Sequence, residues 1–146
     1  MSVSLYGSGQ TVLQVVNATY STAVNSTTST YATTGLTATI TPQSTNSKIL
    51  VLVSQNGLGK NAANTYMGLQ LLRGATVLET MEGQATFTGA AQQNTQSSST
   101  SYLDSPATTS ATTYSTQFNN VSNAGTVTVQ STSSTSTITL LEISGS

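Results

Sequence analysis

The segment LTATIT, residues 36–41, sets Leu36, Ala38 and Ile40 at alternate positions with Thr37, Thr39 and Thr41 between them. A repeat of two is the repeat of a β-strand, whose side chains point to opposite faces in turn. An α-helix of this sequence would scatter the same apolar side chains around its circumference. The segment therefore reads as a half-buried strand, apolar on one face and lined with threonine on the other. Shortly after it comes KILVLV, residues 48–53, where the apolar residues are continuous. Such a run is expected to be a central strand buried on both faces, because left exposed it would invite edge-to-edge aggregation.

The rest of the chain follows the same pattern. Serine and threonine supply 53 of 146 residues, 23 and 30 respectively, and displace the alanine, glutamate, lysine and arginine that fill helical surfaces. Threonine is β-branched and polar, which suits the solvent face of a strand. The expected class is all-β. Further strands are expected over residues 11–20, 66–72, 75–81, 112–118, 126–130 and 136–143, with a bulge or two-sided burial at Leu140-Leu141. Residues 55–65, with their asparagines and glycines, read as a hairpin loop, and residues 90–101 as a long polar loop. The total of about eight antiparallel strands has the spacing of a sandwich or barrel. Residues 1–10 read as an N-terminal arm and 11–146 as one domain, long enough to bury a core unaided.

Charge excludes several functions. Three cations, Lys48, Lys60 and Arg73, stand against Glu79, Glu82, Asp104 and Glu142, for a net charge of −1. Three scattered cations cannot neutralise a row of phosphates, so nucleic acid is not an expected partner. Near-neutrality favours association, and an ordered assembly is the expected setting. The start, MSVSLYGSGQ, has neither the basic end nor the apolar stretch of a secretory leader. The longest aliphatic run, residues 49–53, is far shorter than a membrane span, so no membrane partner is expected.

Catalytic chemistry has few materials. The chain has no histidine and no cysteine, which removes the common general bases, triads and thiolate metal sites. A Ser–Lys dyad through Lys48 or Lys60 is formally open, but both lysines read as solvated residues beside turns. Glu79 and Glu82 are the one close carboxylate pair, and three apart on a strand they would face opposite ways. NGLGKN, residues 56–61, lacks the first glycine and the final Ser or Thr of a phosphate-binding loop. Calcium would need clustered carboxylates that Asp104 alone does not supply. No enzyme activity, cofactor or metal is expected. Tyr20, Tyr31, Tyr66, Tyr102 and Tyr114 leave carbohydrate binding open, although strand tyrosines more often pack at a core rim with the hydroxyl in water. Candidate interaction residues are Asn56, Lys60 and Asn64 in the first loop, and Gln93 and Asn94 in the second.

The stretch YLDSPATTSATTY, residues 102–114, holds the single aspartate and one of two prolines. Tyr102 is expected to end a strand and Asp104, Ser105 and Pro106 to turn the chain. The Asp104 carboxylate would accept backbone N–H groups, and Pro106 would bias Ser105 to an extended shape.

Taken in order, GQTVLQVVNATYST, YATTGLTATITPQSTNSKILVLVSQNGLG, MGLQLLRGATVL, SYLDSPATTSATTYSTQF and STSTITLLEISG resemble bacteriophage virion proteins of the tail-fibre and capsid-decoration type, notably from marine and cyanobacterial phages. The resemblance spans residues 9–145, and its most specific pieces are TPQSTNSKILV and YLDSPATTSATTY. It implies a jelly-roll β-sandwich, similar to tumour-necrosis-factor-like heads and often a homotrimer. It also implies a non-enzymatic place on the outer surface of the virion. With so short a segment before the first strand, a capsid decoration (cement) protein in contact with the major capsid protein is the expected role. The alternative is a tail-fibre or appendage-tip module that binds host-surface carbohydrate or another receptor.

Overall fold

The computed structural model describes Gly9, residues 11–91 and residues 95–145. The expected N-terminal arm, apart from Gly9, lies outside the described residues, as do Gln93 and Asn94. The described residues form ten strands: β1 (Val12–Tyr20), β2 (Val24–Ser26), β3 (Ala32–Ile40), β4 (Lys48–Lys60), β5 (Met67–Arg73), β6 (Thr76–Ala85), β7 (Gln96–Asp104), β8 (Thr112–Asn120), β9 (Val127–Val129) and β10 (Ser136–Ile143). A 3-10 turn, Ser131–Ser133, precedes β10. All pairings are antiparallel and fall into two sheets. One runs β1-β10-β4-β9-β2, with β7 on the other side of β4; the second runs β3-β8-β5-β6. The all-β sandwich expected from the sequence is the observed fold class.

The alternating segment behaves as its pattern requires. Leu36, Ala38 and Ile40 are buried while Thr37 and Thr39 are exposed. They meet Ile49, Val51 and Val53 of β4 with Tyr114, Ile138 and Leu140 in the larger apolar cluster. A smaller cluster, built on Leu58, Met67, Leu69, Phe118, Val127 and Val129, fills the other end. Between them Thr34, Thr116, Gln55, Gln130 and Ser136 form a buried polar belt. Thr116 Oγ1 donates to Gln55 Oε1 at 2.8 Å and lies 2.5 Å from Thr34 Oγ1. Gln55 Nε2 donates to Ser136 Oγ at 3.0 Å. In the Gln130 orientation that satisfies every neighbour, its oxygen accepts from Ser136 Oγ and Gln55 Nε2, and its nitrogen donates to the Thr34 carbonyl at 3.3 Å. Buried polar groups are tolerable only when bonded in this way.

Several expectations need correction. The KILVLV run is buried on one face only: Ile49, Val51 and Val53 point inward, while Leu52 is 39% exposed and Leu50 half-buried. The hairpin loop expected at residues 55–65 does not exist as such, because β4 continues to Lys60. Its far end pairs with β9 through Gly59↔Thr128 and Lys60↔Val127. Gly57 adopts φ 66°, and a Cβ there would sit 2.6 Å from the Ser131 nitrogen, so this glycine serves a close backbone approach rather than a turn. Residues 96–101, expected in a loop, belong to β7 and pair with β4. The short β2 lies outside the strands expected from the sequence. Leu140-Leu141 carries no bulge: both pair in register with β1 and β4, and Leu141 faces outward.

Candidate functional site

Asp104 closes β7 with its side chain directed inward, opposite Ile49 of β4. Arg73 ends β5 and Tyr114 lies in β8, and these two are direct cross-strand partners in the other sheet. Arg73 Nη1 donates to both Asp104 oxygens at 2.8 Å, and Tyr114 Oη donates to Asp104 Oδ2 at 2.6 Å. Tyr114 is wholly buried, and the Arg73 side chain is 31% exposed. Burial pushes the Tyr114 phenol up, the Asp104 hydrogen bond and negative charge push it further, and Arg73 opposes them only partly. The phenol therefore stays protonated and remains a donor. Asp104 is no free acid; it fastens one sheet to the other. Asp104 itself belongs to β7 rather than to a turn, the chain leaves the strand at Ser105, and the expected backbone N–H partners are replaced by Arg73 and Tyr114. Ser105 accepts from Lys48 Nζ at 2.6 Å, and Tyr102 packs on the larger cluster. Pro106 is half-buried in the segment that follows.

The other polar and charged side chains differ in their settings. Lys60, expected on a solvated loop, is 1% exposed and shares the inward face with Val127, its Nζ donating to the Thr88 carbonyl at 2.7 Å. Asn56 lies in β4 and donates to the Thr135 carbonyl at 2.7 Å. Asn64 is exposed and follows the end of β4, with φ 54°. Glu79 is half-buried and accepts from Thr100 Oγ1 at 2.8 Å, whereas Glu82 is exposed. Glu142 is buried, which would raise its carboxyl, but donors that include Gln14 Nε2 (2.5 Å) and the Gln43 N–H (2.7 Å) hold it below the usual value. Among the described residues no cluster of three or more potential metal ligands occurs, and no helix is long and apolar enough to cross a membrane.

Among the described tyrosines, Tyr114 is buried, Tyr20 lies over Gly35, and Tyr66 meets the 52% exposed Phe87 edge-on at 5.6 Å between ring centroids.

What the outer surface does present is aliphatic. Val15 pairs with Leu141, Leu141 with Leu50, and Leu50 with Leu103, so four strands contribute one continuous outward row. Val15 is 58% and Leu103 44% exposed, and Leu52 stands one step along β4 on the same face. Alternation in each strand forces this row outward once Val16, Leu140, Val51 and Tyr102 face the core. The sequence signal for it was the unbroken run itself: apolar residues on both sides of one strand. No known protein family matches the chain, and no curated protein sequence matches it.

Proposed function

We propose that this chain is a non-enzymatic structural protein of a bacteriophage particle, a homotrimeric jelly roll that decorates the outside of the head. The observation that carries the reading is the outward row Val15–Leu141–Leu50–Leu103. Contiguous apolar surface of this kind marks a protein–protein contact. A chain with seven charged side chains, three cations and four anions, has little else with which to hold a neighbour. The strand orders β1-β10-β4-β7 and β3-β8-β5-β6, in which the chain crosses repeatedly between sheets, support the jelly-roll topology. The motif resemblance supplies the particle, and cyclic symmetry lets one small protomer cover a three-fold lattice position beside the major capsid protein.

The test is the mass of the assembly in solution. Light scattering is expected to give three protomers, and Leu50→Asp with Leu103→Asp to give one, with the circular dichroism spectrum unchanged. A wild-type protein that stays monomeric at high concentration sinks the reading. Imaging of particles then separates its two halves, because density on the head shell supports decoration and density at a tail appendage overturns it.

A further inference from the structure

A second outward surface has different chemistry. Where β2, β9 and the far end of β4 meet the 3-10 turn, an open groove of about 390 Å³ is lined by Asn25, Gly59, Asn61, Thr128, Ser131 and Thr132. Its size falls among small-molecule sites, roughly 300–1,000 Å³. Lys60 contributes only to the wall, since its ammonium runs inward to the Thr88 carbonyl. Apart from Ala23, the rest of the lining is residues that carry an amide or a hydroxyl, with the Gly59 backbone.

Three features set the groove apart from ordinary strand surface. The first is Gly59, a glycine inside a strand, where it weakens the sheet. Its φ lies outside the left-handed region, and a Cβ would meet only Ser131 Oγ at 3.7 Å and Ser131 Cβ at 3.9 Å, both ordinary contacts. Neither backbone shape nor a clash at Cβ requires glycine here; Gly59 is buried at the floor of the groove, and a larger side chain would reduce its depth.

The second is the wall. Gln130, Thr132 and Ser133 adopt φ of 53°, 53° and 60°, left-handed values that side chains other than glycine rarely take. The strain is held by the buried Gln130 amide beneath and by the close approach of Ser131 to Gly57. Such conformations persist only where the surroundings over-determine them, and they gather at ligand-holding sites.

The third is donor geometry. Asn25 Oδ1 accepts from Thr128 Oγ1 at 2.8 Å, and Asn61 Oδ1 accepts from the Thr126 N–H at 2.7 Å. Each oxygen is thus occupied by the protein and each amide is oriented by it. Both residues line the groove, and among the described residues neither Nδ2 group has an acceptor, which leaves two amide donors for a ligand.

We propose that this groove binds a neutral polyhydroxylated ligand, a sugar ring, which lies over Gly59 and accepts hydrogen bonds from Asn25 and Asn61. Among the described residues the lining carries no free charge, which selects against phosphorylated or carboxylated sugars. Without an aromatic platform a single site binds weakly, and repetition over several protomers supplies avidity.

The experiment is saturation-transfer NMR on the whole chain with methyl glycosides of glucose, galactose, mannose and N-acetylglucosamine at millimolar concentration. Transfer to at least one is expected, with a loss of at least tenfold in Gly59→Val, whose branched side chain fills the floor and favours the strand. The melting temperature of that variant is expected to equal or exceed the wild type. No transfer to any of the four, or transfer that survives Gly59→Val, overturns the proposal. Should Gly59→Val fail to fold, Asn25→Ala, at an exposed position, reads the same loss; retention of binding there is equally decisive. The oligomeric mass is unaffected by either outcome, so this test stands apart from that of the assembly.

Discussion

Tyr114 Oη and Asp104 Oδ2 lie 2.6 Å apart across the space between the two sheets, and Arg73 completes the group from the strand beside Tyr114. Removing the acid leaves a buried phenol and a partly buried guanidinium without their acceptor. Asp104→Ala is expected to cost about 2–4 kcal/mol, below the upper range for buried pairs because Arg73 reaches solvent. Tyr114→Phe should cost about 1–2 kcal/mol. Urea denaturation of both single variants and the double variant checks this: the two losses are expected to sum to more than the double variant shows, as coupled neighbours do. Strict additivity would mean that the contact contributes nothing.

The same phenol makes the protein sensitive to alkali. Its folded value lies above the ordinary 10.0, so above that pH the unfolded chain releases a proton that the folded chain retains. Stability is then full below about pH 10 and falls as pH rises further, by up to about 1.4 kcal/mol per unit. Denaturation midpoints between pH 8 and pH 11.5 (roughly, the titration range of tyrosine) should decline for the wild type and decline less for Tyr114→Phe. Part of the slope should remain, because burial also raises Tyr31.

Glu142 gives the opposite dependence in acid. Its folded value lies below the ordinary 4.5, so the folded chain stays ionised where the unfolded chain takes up a proton. Its contribution is present above about pH 4.5 and is lost as pH falls through the folded value. Glu142→Gln is expected to flatten the acid limb of the stability profile, and an unchanged limb would show that Gln14 and Gln43 do not favour the carboxylate.

Gly35 adopts φ 87° with the Tyr20 ring lying where a Cβ would be. Gly35→Ala therefore meets both a backbone and a steric penalty, together about 2–4 kcal/mol. Because Tyr20 also packs on the larger cluster, the comparison is made in its absence: in a Tyr20→Ala background Gly35→Ala should cost only the backbone part, read as a smaller drop in melting temperature than in the wild type.

In the polar belt, Thr116→Val is expected to cost about 1–3 kcal/mol, because Gln55 Oε1 and Thr34 Oγ1 lose a partner inside the sandwich. Valine keeps the shape, so calorimetry isolates the hydroxyl. A neutral result would mean that water or a neighbouring amide takes its place.

The sequence by itself determined the fold class and the identity of the core face. Alternation in LTATIT is a local property, and once a strand forms, the pleat decides which residues face together; Leu36, Ala38 and Ile40 are buried as that rule demands. Strand positions followed wherever β-branched or apolar residues recur every second place. Tertiary structure decided the rest. Leu50 and Leu52 look buried from sequence because an unbroken apolar run does not reveal whether the protomer or a neighbour covers its second face. The far end of β4 looked like a loop because its glycines and asparagines disfavour strands locally, yet ladder bonds from β9 and the press of Ser131 on Gly57 hold it extended. Asp104 looked like a turn residue because its partners are remote: Arg73 lies 31 residues away, and Tyr114 reaches it only from the opposite sheet. A hydrogen bond between distant residues leaves no periodic trace, and only the folded chain brings its two ends together.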